Sequence, residues 1–174
     1  MKDILEKANE NNFAIPAFNI SHYAMFKGIM EACEEKDAPV IIEIHPDELE
    51  HVGTEMVKAV TERAYRSRIP VCIHLDHCGD FGIIIKAIQA GFTSVMFDGS
   101  SLPFEENIAN CRKAAEAAHP VNVSVEGELG TIGSTDAEAE AGANQIIYTN
   151  PEDAVKFVEE SGIDTLAVAI GTSH

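Results

Sequence analysis

At 174 residues, with 45% hydrophobic and 24% charged content, the chain can bury a sizeable core, and residues 1–174 read as one globular domain or part of one. Twelve Lys and Arg against 29 Asp and Glu give a formal net charge of −17, which repels polyanions and argues against nucleic acid or an anionic membrane as a partner. No apolar run reaches the roughly 18 residues of a membrane span, and Met1-Lys-Asp-Ile-Leu-Glu-Lys7 lacks the apolar centre of a signal peptide, so a cytoplasmic location is expected. Cys33, Cys72, Cys78 and Cys111 form no Cys-x-x-Cys pair and are too sparse for a disulfide framework, which leaves reduced thiols, most of them in the core.

Short apolar runs alternate with longer amphipathic ones, the pattern of an α/β chain with a parallel sheet. In chain order, a strand at 13–19 is followed by a helix at 23–35, a strand at 39–45, a helix at 54–67 and a strand at 70–77. A helix at 81–90, a strand at 94–98, a helix at 104–118 and a strand at 121–129 come next, and a helix at 151–160 and a strand at 164–171 complete the series. Asn150-Pro151 reads as a capped first turn with Glu152 and Asp153 well placed against the helix dipole, and Gly91 and Gly162 read as helix stops. The segment 130–150, rich in Gly, Ala, Asp and Glu without a clear period, has the length of a lid or binding loop.

These units suit either a doubly wound sheet or a (β/α)8 TIM barrel represented by its first six strand-helix units, since a full barrel takes about 250 residues. The strand at 121–129 favours the barrel. Val121, Val123 and Val125 share one face, whereas Asn122, Ser124, Glu126 and Glu128 share the other, and two carboxylates under a second helical layer would be costly. No Gly-x-Gly-x-x-Gly follows the first strand, which weakens the dinucleotide-binding version of the open sheet.

Functional groups of parallel α/β folds collect at the carboxyl ends of strands, here Asn19, His45, Asp76, His77, Asp98, Ser100, Glu126, Glu128 and His174. The set is rich in metal ligands and proton carriers and holds no Lys or Arg. Every lysine falls in a predicted helix or terminus, so Schiff-base chemistry has no candidate and electrophilic work must come from a metal. His77 and His174 could give two nitrogens to a zinc ion whose catalytic sites commonly use three protein ligands, and Asp76 is a candidate acid/base beside it. Adjacent residues of a strand point to opposite faces, so Asp76 and His77 reach one mouth only if the strand ends or twists there. On the same alternation His74 is expected to be a core or helix-facing residue.

Plainer readings stand beside these. A single histidine after a strand is more often a loop or core residue than a ligand. Glu126 and Glu128 suit a solvated strand edge, Asp98 a helix cap before Leu102-Pro103, Glu138 and Glu140 solvated loop charges, and His22, His51 and His119 surface or capping positions.

Taken together, Ile73-His-Leu-Asp-His77, Ser94-Val-Met-Phe-Asp-Gly-Ser100, Leu102-Pro-Phe104, Val123-Ser-Val-Glu-Gly-Glu-Leu-Gly130, Tyr148-Thr-Asn-Pro151 and Leu166-Ala-Val-Ala-Ile-Gly-Thr-Ser-His174 resemble the class II, metal-dependent ketose-bisphosphate aldolases of the fructose and tagatose branch, and Ala14-Ile-Pro-Ala-Phe-Asn19 agrees. The resemblance implies cleavage of a ketose 1,6-bisphosphate to dihydroxyacetone phosphate and glyceraldehyde 3-phosphate, with Zn2+ or another divalent metal stabilising the enediolate. It further implies Asp76 as the acid at the C4 oxygen, His77 and His174 as metal ligands, Glu128 at an alternative metal position with Asp98 behind it, Asn19 as a substrate contact, and Glu138 or Glu140 as a loop acid. A monovalent cation, a phosphorylated sugar substrate and a homodimer or homotetramer belong to the same expectation.

The chain departs from the family pattern at Glu43-Ile-His45-Pro46-Asp47, where close relatives carry small Gly and Thr residues, and at Gly133-Ser-Thr-Asp136, in place of a Gly-Gly-acidic run. The family's third zinc histidine and the phosphate-binding loops after strands seven and eight are expected beyond His174. Two other readings compete: a catalytically incompetent barrel fragment or scaffold, and a zinc hydrolase on the same barrel.

Overall fold

The computed structural model describes residues 1–130 and 148–171. Helix α1 (Lys2–Asn11) precedes β1 (Ala17–Asn19), α2 (Tyr23–Glu35), β2 (Val40–Ile44), α3 (Pro46–Tyr65) and β3 (Val71–Cys78). These are followed by α4 (Phe81–Ala90), β4 (Ser94–Phe97), α5 (Phe104–Ala118), β5 (Ser124–Leu129), α6 (Pro151–Ser161) and β6 (Thr165–Val168). The six strands form one parallel sheet in the order of the chain, β1-β2-β3-β4-β5-β6. Sequential parallel order with a helix between strands is the geometry of a barrel wall, and six strands make a partial barrel.

The two faces of the sheet divide as the strand at 121–129 foretold. Ile42, Ile44, Ile73, Leu75, Val95, Phe97, Val123 and Val125 pack outward into one core with Phe26, Met30, Val57, Val60, Ile84, Ile108, Cys111 and Phe157 of the helices. Burying such side chains is worth about 1.5–3 kcal/mol each and supplies the main drive to this layer. The other face carries the polar residues. Across it, Asn19 pairs with Glu43, Glu43 with His74, His74 with Ser94 and Ser94 with Ser124, so one lateral row of polar side chains crosses five strands.

Several elements differ from the sequence expectation for local reasons. Helix α1 was not expected, since it has no side-chain N-cap and its only buried residue is Ala8; it ends at Asn12 in the left-handed region. It lies at the amino-terminal end of the sheet, where the Met1 amino group and the Lys2 backbone N–H both donate to Ser124 Oγ at 3.1 Å. Helix α3 begins at Pro46, not at 54, and Gly53 (φ 71°, ψ 170°) kinks it where the apolar period seemed to start. Strand β5 begins at Ser124, because a 3-10 turn at His119–Val121 and a left-handed Asn122 occupy the preceding residues. The caps at Asn150, Gly91 and Gly162 are as the sequence indicated. All four cysteines are buried free thiols.

Candidate functional site

Strand β3 resolves the conflict between Asp76 and His77. Its register against β4 runs His74 to Ser94 and Leu75 to Val95 but then Cys78 to Phe97, so three residues of β3 oppose two of β4. The extra residue is a β-bulge, and His77 sits in it at φ 42°. A non-glycine residue in the left-handed region is uncommon and is held there by its surroundings. The bulge breaks the strict alternation, and both Asp76 and His77 line one cavity of about 240 Å3 at the carboxyl end of the sheet. Asn19, Glu43, Met96, Glu126, Glu128, Ala167 and Val168 line it with them. Among the described residues lining this cavity there is no Lys or Arg.

The polar contacts fall into two groups. In the first, His77 Nδ1 is 3.0 Å from Asp98 Oδ2 and 3.5 Å from Glu128 Oε2, while His77 Nε2 is 3.7 Å from Asp76 Oδ1. Asp98 does not cap α5, as the sequence suggested; its Oδ1 instead accepts from the Ser100 backbone N–H at 3.0 Å and from Ser100 Oγ at 2.7 Å. The Asp98 hydrogen bond holds the His77 imidazolium well above its ordinary pKa of 6.5, against burial and with help from the charges of Asp76 and Glu128. Burial is the largest influence on Asp98 and pushes its carboxyl up, but the hydrogen bonds from His77 and Ser100 outweigh it and bring the pKa to about 2. Burial, then the Asp98 charge, pushes Glu128 up.

Glu128 is 4% exposed, and its Oε2 is buried without a hydrogen-bond partner, so the solvated-edge reading fails for it. A buried carboxylate oxygen that makes no hydrogen bond, with the His77 ring 3.5 Å away, favours the closer approach of a cation or proton. Ligand atoms of His77, Asp98 and Glu128 lie within 4.8 Å of one another, a nitrogen and oxygen set that fits a zinc-like divalent ion. Asn107, which sequence reasoning missed, supports this group: it is buried in α5 and donates from Nδ2 to the Glu128 carbonyl at 2.8 Å. A polar side chain inside an otherwise apolar helical face was its signal.

The second group contains a correction. His74 does not face the helices; it is fully buried on the polar face of the sheet, with Nδ1 2.9 Å from Ser94 Oγ and Nε2 3.0 Å from Glu126 Oε2. Asn19 Nδ2 donates to Asp76 Oδ2 at 2.8 Å. Burial, followed by the charge of Asp76, pushes Glu43 up to about 7.

The remaining histidines have local roles. His22 Nδ1 accepts from the Met25 N–H and His45 Nδ1 from the Asp47 N–H, so both cap helices, and His119 Nε2 pairs with Asp164 Oδ2 at 2.9 Å. Ser100 faces Asp98, as above. Glu138, Glu140 and His174 lie outside the described residues.

A partial parallel barrel with carboxylates and an imidazole gathered at its carboxyl mouth defines a class of α/β enzyme sites. The family model for Fructose-bisphosphate aldolase class-II matches residues 1–174, and the chain belongs to that family. It is 39% identical over 172 residues to a fructose-bisphosphate aldolase of Thermus caldophilus, covering 99% of this chain and 56% of that protein. It is 40% identical over 174 residues to the D-tagatose-1,6-bisphosphate aldolase subunit GatY of Klebsiella oxytoca, covering 99% of this chain and 61% of that one. The crystal structure of the YdjI aldolase from Escherichia coli K12 superposes with a TM-score of 0.88 at 33% identity, over 99% of this chain and 62% of that one. The chain thus spans less than two thirds of the length of these relatives.

Proposed function

We propose that the protein to which these residues belong is a metal-dependent aldolase that cleaves a ketose 1,6-bisphosphate of the fructose or tagatose type into dihydroxyacetone phosphate and glyceraldehyde 3-phosphate. The observation that carries this reading is the bulge that turns both Asp76 and His77 into one cavity beside Asp98 and Glu128. His77 is the described residue proposed to hold a Zn2+ or similar ion, with His174 as a further ligand and Glu128 at an alternative position for the metal. When bound, that ion would supply Lewis-acid stabilisation of the negative charge that develops on the ketose oxygens as the carbon–carbon bond breaks.

The chain's own residues would do the rest. Asp98 would orient the His77 ring through Nδ1, leaving Nε2 toward the cavity. Asp76, held by Asn19 Nδ2, would carry the proton exchanged with the C4 oxygen of the substrate. Asn19 would also contact substrate hydroxyls, and Glu138 or Glu140 would exchange the second proton. A monovalent cation, a homodimer or homotetramer and a cytoplasmic location complete the proposal. Residues 1–174 form a single, incomplete barrel domain in this reading, and a polypeptide limited to them is expected to give no turnover.

The test is release of dihydroxyacetone phosphate by the complete, zinc-loaded protein from each ketose bisphosphate. Asp76→Asn is expected to lower kcat by about 10²–10⁴-fold, the range for loss of a general acid or base, with the zinc held at His77 retained. No release from either sugar, or an undiminished rate in the variant, would overturn the reading.

A further inference from the structure

The mouth holds a second set of converging ligand atoms besides His77, Asp98 and Glu128. Glu43 of β2 and His74 and Asp76 of β3 bring one ligand atom each to within 4.8 Å of one another. Glu43 and His74 stand opposite each other in the sheet register, and His74 and Asp76 share a face of β3. The set sits deeper than a surface acidic cluster, since His74 is 0% exposed.

Its most telling member is the imidazole. His74 Nε2 is buried and makes no hydrogen bond, although Glu126 Oε2 lies 3.0 Å away, so the carboxylate is near but out of line with the ring. The other nitrogen, Nδ1, is engaged with the buried Ser94 Oγ at 2.9 Å. A ligating histidine ordinarily has its second nitrogen tied in this way, which fixes the ring and leaves a lone pair aimed at the ion. Asp76 is likewise tied by Asn19 Nδ2 at 2.8 Å. Glu126 Oε2 thus lies beside a ring nitrogen that makes no hydrogen bond, and Glu43 and Asp76 each bring an oxygen to within 4.8 Å of a nitrogen of the same ring. Like charges gathered in a half-buried space repel unless a positive charge joins them.

We propose that Glu43, His74 and Asp76, with Glu126 beside them, form a second divalent-cation site, separate from the one around His77. One nitrogen with carboxylate oxygens suits a borderline ion such as Zn2+ or Mn2+ better than Mg2+ or Ca2+, which prefer oxygen alone. The two sites meet at Asp76 and His77, neighbours in sequence, yet share no ligand. Occupancy of the second site engages the Asp76 carboxylate, so the cation there restrains Asp76 instead of assisting it. The site stands whether or not the protein cleaves a ketose bisphosphate.

The test uses the complete protein, stripped of metal and equilibrated with zinc alone. Metal analysis is expected to give two equivalents per chain, and anomalous diffraction at the zinc edge two peaks, one of them between Glu43 and His74. Glu43→Gln, which keeps the shape of the side chain, is expected to lose that peak and one equivalent while retaining the other peak and an unchanged circular dichroism spectrum. His77→Ala is expected to do the reverse. A single equivalent at saturating zinc with no density between Glu43 and His74, a second equivalent that survives Glu43→Gln, or loss of both peaks in either variant would overturn the proposal.

Discussion

Between His77 and Asp98 each partner shifts the other, and both shifts stabilise the fold with opposite dependence on pH. The depressed Asp98 contributes stability that is present above its ordinary 3.8 and lost as pH falls through about 2. The raised His77 contributes stability that is full below 6.5 and lost as pH rises through its elevated pKa. Metal-free protein is therefore expected to draw most from this pair between pH 3.8 and 6.5, which denaturant unfolding across that range would measure. Asp98→Asn is expected to cost about 1.5–3 kcal/mol in that window, as a hydrogen bond to a charged group does, and to bring the His77 pKa down in an NMR titration. Because the proton on His77 competes with a metal, zinc affinity is expected to keep rising with pH above 6.5, where an ordinary histidine would already be neutral; isothermal titration at several pH values checks this.

At the level of elements, two contacts set how firmly the mouth is built. Gly127 lies between Glu126 and Glu128 in β5, and a Cβ there would meet Cys111 Sγ at 3.0 Å and Ile163 Cδ1 and Phe157 Cε1 at 3.1 Å. Gly127→Ala is thus expected to cost about 1–3 kcal/mol by overpacking, read as a lower thermal midpoint. Asn150 Oδ1 accepts from the Glu152 N–H at 2.8 Å, and Asn150→Ala is expected to cost about 1 kcal/mol through loss of the cap of α6. The cap was legible because Asn-Pro followed by two acids is a local code. The first half of α3 carried its own signs in Pro46, Asp47 and Glu48, but Gly53 interrupts the period on which the helix was judged. The inward turn of His74 was hidden for a different reason. Alternation alone puts His74 and Asp76 together, and assigning the mouth to His77 reversed the phase of the strand; only the bulge reconciles them.

For the whole molecule, the polar face of β5 announces a barrel interior in the sequence itself, since two glutamates two residues apart have no place between helical layers. The convergence of Glu43 with His74, and of Asn107 with Glu128, depends on register between distant strands and helices, which no local pattern carries. Strands β1 and β6 end the described sheet, and Phe18, Val168 and Ile170 are exposed there. A polypeptide limited to these residues is expected to self-associate with rising concentration in sedimentation experiments, through unpaired edges and bare apolar surface, unlike a protein in which further strands cover them. Metal should matter at this scale too. Each bound zinc, at a thousandfold excess over its Kd, is expected to stabilise the complete protein by about 4 kcal/mol, and a chelator to remove that increment in a thermal scan.

The bulge at His77 also changes what Asp-His adjacency means as text. In a regular strand, two neighbouring letters name opposite sides of a wall, so a pair that must serve one chamber spells out a fault in the pleat as well as two side chains. The backbone irregularity is written in the dipeptide itself. Removing one residue between Leu75 and Cys78 would restore the regular weave, but the two residues there are Asp76 and His77, so the weave could be regular only at the cost of one of the partners.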